Sequence, residues 1–401
     1  MSILHATTGL DLDDTAVGYA YRSTADLRLA YWLFRLLRWG WVVRWANWSG
    51  AKALSWRLPV EPLLRSTLGR LFLGGETLEA TLPILANLRQ FGVEAMLDFA
   101  VEAAQTEKEA EMAFQEYQRL LRFASQHREQ VPFVAIKLTA LAPPLLFQKL
   151  SQEAPLASTL EAFHSKLQER LEALCQQATA AGIGLMIDAE ESWLQKAIDT
   201  IAETYMARYN TQFPWIYTSV QMYRRDRLDY LKGLLARAGN YLPGIKLVRG
   251  AYVEKERAYA AAHNQPDPIH PTKAATDIAY DAALMYCLER LDHLGLCVAT
   301  HNRTSCMKAA QYLILKNWDR RHPHFSFSQL YGMADPLSFG LAKGGFRVIK
   351  YLPYGPLRQA FPYLARRAEE NSSLSDQSGR ELRWIAAELE RRRQAAKRLY
   401  P

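Results

Sequence analysis

The chain has 401 residues, of which 49% are hydrophobic and 22% are charged, and its net charge is +8. That length accommodates one large domain or two ordinary ones, and the composition allows a large core. The positive charge is modest for this length, and no zinc-finger spacing, homeodomain-like pattern or RNA-binding aromatic motif occurs. Nucleic acid is therefore not an expected partner.

Cysteine usage and the absence of long apolar runs further restrict the class of protein. The four cysteines show no CxxC spacing and are too sparse for a disulfide framework, which is typical of a reducing compartment. The first residues do not combine a basic region with an apolar core, so no signal peptide is predicted. No run of 18 apolar residues occurs, so no spanning helix is expected.

Near the start, Asp11 to Thr15 match the DxDxT signature of phosphotransfer enzymes of the haloacid-dehalogenase type. That chemistry requires an apolar strand directly before the first aspartate, whereas His5 to Gly9 are mostly polar or small. We therefore interpret the segment as an N-terminal loop or helix cap.

Residues 26–58 combine tryptophan with arginine. Six tryptophans are interleaved with four arginines: Trp32, Trp39, Trp41, Trp45, Trp48 and Trp56 with Arg28, Arg35, Arg38 and Arg44. Apolar residues at helical spacing predict a helix. The helix could lie on an anionic membrane, or it could pack on the main domain with its arginines towards water. Packing is favoured, because aromatic stripes usually belong to a core.

Gly74 to Thr77 predict a turn that leads into a helix. The GxxxxGK[ST] and GxGxxG spacings are absent, which argues against a phosphate-binding loop and a classical nicotinamide domain. HExxH, GxSxG and paired metal-ligand motifs are also absent, so neither a hydrolase nor a metal site is expected.

From about residue 93, short apolar segments alternate with longer helical ones. Eight segments read as strands: 95–101, 133–138, 184–188, 216–221, 244–249, 297–301, 325–331 and 347–351. Eight strand–helix units over roughly 280 residues predict a closed parallel barrel.

Each predicted strand ends in a polar or titratable side chain. In chain order these are Glu102, Lys137, Asp188, Gln221, Lys246 or Arg249, His301, Gln329 and Tyr351. Barrel active sites are assembled from the carboxyl ends of strands, so this succession favours an enzyme. At residues 246–252 the strand runs into a Gly-Ala turn. Gly250 allows close backbone approach to a ligand, and a neighbouring cation can hold a flavin ring or a phosphate.

Two alternatives stay open at these strand ends. The basic residue beside Gly250 could be an ordinary surface cation. His301, within residues 299–302, could be a hydrogen-bonded core histidine, and the motif alone favours that state.

The segment of residues 350–371 is the most informative. It predicts a strand ending at Tyr351, a Pro/Gly turn and a helix that begins near Pro362. On that helix Tyr363, Arg366, Arg367 and Glu370 share one face. Two guanidiniums beside two tyrosines form a good clamp for a small carboxylate, and a solvated surface helix is the alternative. Residues 380–400 predict a basic, solvated end helix, with membrane contact as the less favoured interpretation.

Together these stretches resemble the proline dehydrogenase family, the flavin enzymes that begin proline catabolism. The motifs follow the family's order over about residues 72–400, at 97–102, 136–141, 187–191, 220–223, 246–252, 267–269, 299–302, 329–333 and 350–371. They are similar to the single-function branch that includes mitochondrial enzymes, so no second aldehyde dehydrogenase domain is expected.

The resemblance implies an α/β fold, a distorted (βα)8 TIM-like barrel whose final helix sits over the barrel mouth. Residues 1–92 would form an N-terminal helical arm, residues 93–375 the catalytic FAD-binding barrel and residues 376–401 a C-terminal basic helix. The family binds its flavin either covalently or non-covalently, and the sequence does not choose between them.

The resemblance also implies roles for individual residues. Arg366 and Arg367 would bind the substrate carboxylate, and Glu102 would pair with Arg366. Lys137 and Asp188 would line the pocket near the flavin ring. The pyrrolidine would be enclosed by Tyr252, Leu247, Tyr351 and Tyr363. FAD would be held by Gln221, Lys246, Gly250, Ala251, Lys273, Thr300, His301 and Glu370.

The implied reaction is oxidation of L-proline to Δ1-pyrroline-5-carboxylate, with hydride transfer to FAD and electrons passed to a membrane quinone. The expected location is the cytoplasm or the inner face of the membrane in a bacterium, and the mitochondrial inner membrane or matrix in a eukaryote. The tryptophan-rich arm and the basic tail could then make peripheral membrane contact.

The sequence leaves two other functions open. A hydroxyproline dehydrogenase of the same family is disfavoured, because such relatives carry a small residue where Tyr351 stands. A catalytically silent, membrane-associated barrel is the second. Many family members have arginine where Lys246 stands. Lysine keeps the positive charge but lacks the planar, forked guanidinium of arginine. Gln329 lies one residue off the spacing of some bacterial members and is left out of the site.

Overall fold

A computed structural model describes residues 9–41, 60–101, 103–373 and 375–399, together with residues 43, 45, 46, 48 and 52. Eight strands form a closed barrel in chain order, and β1 to β7 pair in parallel. The strands are β1 (Val93–Phe99), β2 (Phe133–Ile136), β3 (Gly184–Ile187), β4 (Ile216–Gln221), β5 (Gly244–Val248), β6 (Gly295–Ala299), β7 (Phe325–Leu330) and β8 (Val348–Tyr354). The predicted fold class is confirmed.

Helices fill the connections between strands and extend the chain at both ends. They are α1 (Thr15–Gly18), α2 (Thr24–Leu37), α3 (Glu61–Leu64), α4 (Arg70–Phe72), α5 (Leu78–Gln90), α6 (Glu107–Gln126), α7 (Pro144–Ser151), α8 (Ser158–Ala181), α9 (Ser192–Tyr209), α10 (Arg227–Arg237), α11 (Val253–Ala262), α12 (Lys273–Leu288), α13 (Arg303–Leu315), α14 (Asp335–Lys343), α15 (Leu357–Ser373) and α16 (Ser375–Leu399). A π turn (Arg65–Gly69) joins α3 to α4, and short 3-10 turns lie at Leu138–Ala140 and Leu291–His293.

Contacts divide the chain into two compact units, one of residues 1–94 with 329–401 and one of residues 95–328. We call these the terminal unit and the central unit. The three-domain division expected from the sequence stays a prediction.

In the central unit, helices begin where local sequence supplies a cap. Thr106 accepts a hydrogen bond from the Glu109 amide, and the Glu109 carboxylate returns one to the Thr106 amide, a capping box that begins α6. The helix then buries Tyr117, Leu121 and neighbouring residues at helical spacing. Full burial of such a side chain contributes about 1.5–3 kcal/mol, so this face positions the helix against the strands.

In the terminal unit, two expectations about local structure are confirmed. Asp14 caps α1 by accepting a hydrogen bond from the Val17 amide, as the loop-or-cap interpretation of the DxDxT segment predicts. Thr77 caps α5 in the same way through the Ala80 amide, so Gly74 to Thr77 do form a turn into a helix. Both caps satisfy amides that a helix leaves without intrahelical partners.

Two boundaries near the C-terminal motif differ from expectation. β8 continues through Pro353 to Tyr354, and although proline has no amide to donate, its carbonyl accepts the Gly74 amide at 2.7 Å. The chain then turns at Gly355, whose φ is +142°. The helix begins at Leu357, not near Pro362, because the Pro356 carbonyl already accepts the Ala360 amide. Pro362 is tolerated inside it.

The N-terminal and C-terminal helices pack more closely than the sequence suggested. On α2 the buried residues are Leu27, Ala30, Phe34 and Leu37. The described tryptophans lie outside that face, so the helix packs through aliphatic residues and phenylalanine, and the expectation of a tryptophan core is wrong. Trp56 and Arg44 lie outside the described residues. The tail helix α16 is not fully solvated, because Trp384 and Ile385 are buried and Arg392 donates to the Tyr19 and Arg22 carbonyls.

Candidate active site

The carboxyl ends of β1 and β2 carry a buried ion pair. The Lys137 ammonium lies 3.2 Å from both carboxylate oxygens of Asp98, and Asp98 is fully buried. The β1–β2 register places Asp98 beside Ala135, two residues before Lys137, so alternation puts both side chains on one face. Lys137 was predicted. Asp98 was missed, although a lone aspartate inside an apolar strand could have indicated it.

A second buried pair joins two predicted residues from different strands. The Lys246 ammonium lies 2.5 Å from Asp188, and the Ser219 hydroxyl lies 3.4 Å from the same oxygen. The β4–β5 register places Ser219 beside Lys246. Lys246 is only 5% exposed, so its charge is desolvated and shared with Asp188. Removing either partner would leave a buried charge unpaired, which typically costs 3–5 kcal/mol.

Beyond β5, Arg249 organises a polar network. Its guanidinium lies 2.7 Å from Asp277 and 2.5 Å from the Thr300 hydroxyl, and Lys273 lies 2.6 Å from Asp277. Burial raises the pKa of Asp277, but hydrogen bonds from Lys273 and Arg249 outweigh burial and lower it. The predicted residues Lys273 and Thr300 thus meet through Asp277, which the sequence did not indicate, and Arg249, which was predicted only as a cation at a strand end.

The turn after β5 is shaped by a tyrosine. Gly250 has φ +113°, and a Cβ there would lie 2.4 Å from the Tyr223 ring. The Tyr223 hydroxyl donates to Glu256 at 3.3 Å, and Glu256 also accepts the Ser192 amide at 2.8 Å. The glycine is therefore required by a protein contact. Its approach to a cofactor, and that of the next residue, Ala251, stay predictions.

A further buried carboxyl follows Asp188. Glu190 accepts hydrogen bonds from the Thr139 hydroxyl at 2.5 Å and the Thr139 amide at 3.2 Å. Burial raises the pKa of Glu190 to about 7. The contact joins the loops that follow β2 and β3, which are the loops that carry Lys137 and Asp188. The second carboxylate of the 187–191 motif was the signal for this residue.

The predicted carboxylate clamp lies on α15 in the terminal unit. Tyr363 and Arg367 are both buried, and the Arg367 guanidinium lies 5.2 Å from the centre of the Tyr363 ring. Arg366 is half-buried. Tyr351 is buried in β8, and its carbonyl accepts the Tyr331 amide at 2.9 Å. The arginine and tyrosine that were expected to share a helix face do so.

The remaining predicted residues are distributed as follows. Leu247 is fully buried in β5, and its carbonyl accepts the Tyr280 hydroxyl at 3.2 Å. Tyr252 and His301 are half-buried at the ends of their loops. Glu102 and the side chain of Glu370 lie outside the described residues. The individual roles of the predicted residues stay predictions.

The β4 end offers a direct indication of a ligand. Gln221 is buried, and in the part of the chain that the structure describes its Oε1 has no hydrogen-bond partner. Buried polar atoms are nearly always satisfied, so a bound group with a donor fits this position. Lys246 and Thr300, at neighbouring strands, add a cation and a hydroxyl. A polar cofactor that carries hydrogen-bond donors, such as a flavin, fits this set.

Active sites of closed parallel barrels lie at the carboxyl ends of the strands, and Asp98, Lys137 and Asp188 stand there. A model of the proline dehydrogenase family matches residues 82–380. The chain is 34% identical over 331 residues to the carbapenem antibiotics biosynthesis protein CarD of Pectobacterium carotovorum subsp. carotovorum, covering 82% of this chain and 85% of that protein. The chain belongs to the proline dehydrogenase family, which confirms the enzyme class expected from the sequence.

Another relative agrees with that assignment, and a solved structure shows the same fold. The chain is 38% identical over 262 residues to human mitochondrial proline dehydrogenase 1, covering 63% of this chain but 42% of that protein. Proline utilization A from Bdellovibrio bacteriovorus, inactivated by N-propargylglycine, has the same fold, with a TM-score of 0.67 and 24% identity. That match covers 76% of this chain and 32% of the solved one, so this chain spans about a third of its length.

Proposed function

We propose that the protein oxidises L-proline to Δ1-pyrroline-5-carboxylate, with FAD as its cofactor and a quinone as the final electron acceptor. The observation that carries the proposal is the α15 clamp, in which a buried guanidinium stands against a buried tyrosine ring. Such a pair suits a small substrate with a carboxylate and an apolar ring. Membership of the proline dehydrogenase family then favours proline.

The two arginines would fix the substrate through its carboxylate. Charge-assisted hydrogen bonds from guanidinium are short and directional, and they are strengthened where solvent is excluded, as it is around Arg367. Tyr363 would cover one face of the ring. Tyr351, also buried, supports proline over its hydroxylated relative, because a bulky residue leaves little room for a ring hydroxyl.

The central unit would hold the cofactor. The proposed contacts are those of Gln221, Lys246, Gly250, Ala251, Lys273, Thr300 and His301. When bound, FAD supplies the acceptor for the hydride that leaves the carbon beside the ring nitrogen. The pairs Lys246–Asp188 and Lys137–Asp98 would fix the local charge. The substrate nitrogen must lose a proton for the imine to form.

A quinone acceptor implies contact with a membrane. Among the described residues, no helix is both long enough and apolar enough to span a bilayer. We propose peripheral contact, on the inner face of the membrane in a bacterial cell or on the mitochondrial inner membrane in a eukaryotic one. Relatives from human and Arabidopsis thaliana are named as mitochondrial.

The test is an anaerobic titration of the purified protein. A yellow protein whose flavin absorbance bleaches on addition of L-proline, and recovers on addition of a quinone, is the expected result. Steady-state rates with trans-4-hydroxy-L-proline serve as the control and should be much lower. Colourless protein that FAD cannot reconstitute, or a preference for the hydroxylated substrate, would overturn the proposal.

A further inference from the structure

Five tryptophans stand exposed near the N-terminus. Trp32, Trp39, Trp41, Trp45 and Trp48 are each between 58% and 64% exposed. We call them the tryptophan surface. A tryptophan carries a large apolar area, and soluble proteins rarely leave large apolar patches in water. Five indoles within seventeen residues of chain therefore indicate an interaction surface.

The tryptophans are exposed even though the same segment has a buried face. Leu27, Phe34 and Leu37 of α2, together with Val43, are buried. Trp32 lies five residues after Leu27, which places it on the opposite side of the helix from the buried stripe. Among the described residues, this segment is thus buried through aliphatic side chains and Phe34, and the tryptophans lie outside that face.

The same segment is strongly basic. Residues 26–58 contain six basic residues and one acidic residue, Asp26, a net charge of +5. Asp26 is already paired with Arg70 at 2.6 Å. Cations lie over the indoles themselves, with Arg35 at 5.2 Å from the Trp32 ring centre and Lys52 at 4.1 Å from that of Trp48. A positive group therefore lies against an indole at two places in this segment.

We propose that the tryptophan surface docks the protein on an anionic lipid bilayer. Indole rings prefer the headgroup level of a membrane, and basic side chains beside them gain roughly 1 kcal/mol each near anionic lipids. A helix with these features lies in the interface plane. A second copy of this chain is a poor occupant, because two segments of net charge +5 would repel one another.

The proposal deepens the peripheral contact proposed above by naming the surface and the lipid chemistry that make it. Flotation with vesicles of phosphatidylcholine, with and without phosphatidylglycerol, tests it on the full chain. We expect binding to the anionic vesicles that weakens as salt rises. The triple variant Trp32→Ser, Trp39→Ser, Trp41→Ser should bind at least about tenfold more weakly.

Two further variants distinguish vesicle binding by the tryptophan surface and its arginines from binding by exposed apolar side chains in general. The control Ile278→Ser, Leu315→Ser removes apolar side chains that are 73% and 75% exposed elsewhere, and it should bind like the unmodified protein. Arg28→Gln, Arg35→Gln should lower affinity for anionic vesicles and reduce the salt dependence. Circular dichroism and thermal unfolding check that each variant is folded.

Several outcomes would overturn the proposal. These are equal vesicle binding by the triple variant, equal binding to neutral and anionic vesicles, and a lipid-free oligomer that the triple variant dissociates. Proline oxidation with a soluble dye as acceptor is measured in parallel. If that activity is absent from the unmodified protein, the proposed function fails while the vesicle result still decides the docking surface.

Discussion

Buried charged side chains in the central unit are arranged in pairs that cross from one strand end to the next. Asp98 with Lys137 and Asp188 with Lys246 each bring a carboxylate and an ammonium together with little solvent. Desolvation makes such pairs costly to break, whatever their net contribution to stability. They therefore fix local geometry and charge around the proposed flavin.

At the residue scale the clamp gives the sharpest prediction. Arg366→Met or Arg367→Met should raise the KM for proline about a hundredfold, because each removes charge-assisted hydrogen bonds to the carboxylate. Flavin content should stay unchanged. Steady-state kinetics and the flavin spectrum of each purified variant provide the measurements.

Arg358→Met is the matched control. Arg358 lies on the same helix but pairs with Glu61 and is largely exposed, so its replacement should leave KM unchanged. An unaltered KM in both clamp variants would contradict the proposed role of Arg366 and Arg367 in binding the carboxylate.

The sequence predicts which residues stand at strand ends but not which of them pair. Lys137 and Asp188 could be identified because each follows an apolar strand, and Lys246 because it is a cation within one. The pairing of Asp98 with Lys137 could not be predicted, because it depends on the register between β1 and β2, which a single sequence does not specify. Arg249 was recognised as a cation but not as the centre of the Asp277 and Thr300 network.

At the scale of elements, the loop after β5 depends on a backbone conformation that suits glycine. Gly250→Ala should destabilise the protein by about 1–3 kcal/mol and weaken flavin binding, because a positive φ and the Tyr223 ring both oppose a Cβ. Denaturant unfolding and FAD titration measure the two effects.

Gly239→Ala provides the comparison within the same unit. A Cβ there has no neighbour within 4 Å, so its unfolding free energy should change by less than about 0.5 kcal/mol. Equal stability of the two variants would show that the loop relaxes around the added methyl group.

Element existence was easier to predict than element ends. The bounds of β4 agree with expectation, at residues 216–221. The ends of β8 and α15 do not, because Pro353 and Pro362 usually interrupt regular structure. Here the carbonyls of Pro353 and Pro356 accept hydrogen bonds that extend both elements.

At the scale of the whole molecule, each unit contains a buried carboxyl with a raised pKa. Burial raises the pKa of Glu190 in the central unit and of Glu381 in the terminal unit to about 7. The folded protein thus retains protons that the unfolded chain releases at lower pH. This stabilisation is present in full below the ordinary glutamate pKa and is lost as pH rises through about 7.

The free energy of unfolding should therefore fall between about pH 5 and pH 8, by up to roughly 3 kcal/mol for each carboxyl. Glu381→Gln should flatten the fall, because glutamine keeps an acceptor for the Ala334 amide without a titrating group. Denaturant unfolding across this pH range is the measurement. Glu390→Gln, an exposed position on the same helix, should keep the full fall. A pH dependence unaffected by both Glu190→Gln and Glu381→Gln would contradict the assignment.

The barrel could be predicted from eight alternating segments, because strand and helix periodicities are local properties. The packing of the two termini could not, since it depends on contacts between residues far apart in sequence. Arg22 with Asp335 is one such contact, and Arg392 with the Tyr19 carbonyl is another. Exposure of the tryptophans follows from the same packing, which leaves them outside the core.

All four cysteines, Cys175, Cys287, Cys297 and Cys306, are buried and lie between residues 95 and 328. Burial raises the pKa of Cys175 and also that of Cys287, the latter to about 12, so neither forms the reactive thiolate at neutral pH. Alkylating reagents should thus find no reactive thiol until the central unit opens. Alkylation of the four natural cysteines would therefore report the opening of the central unit. A cysteine introduced on an exposed part of residues 1–94 could be labelled alone, without removing any natural thiol.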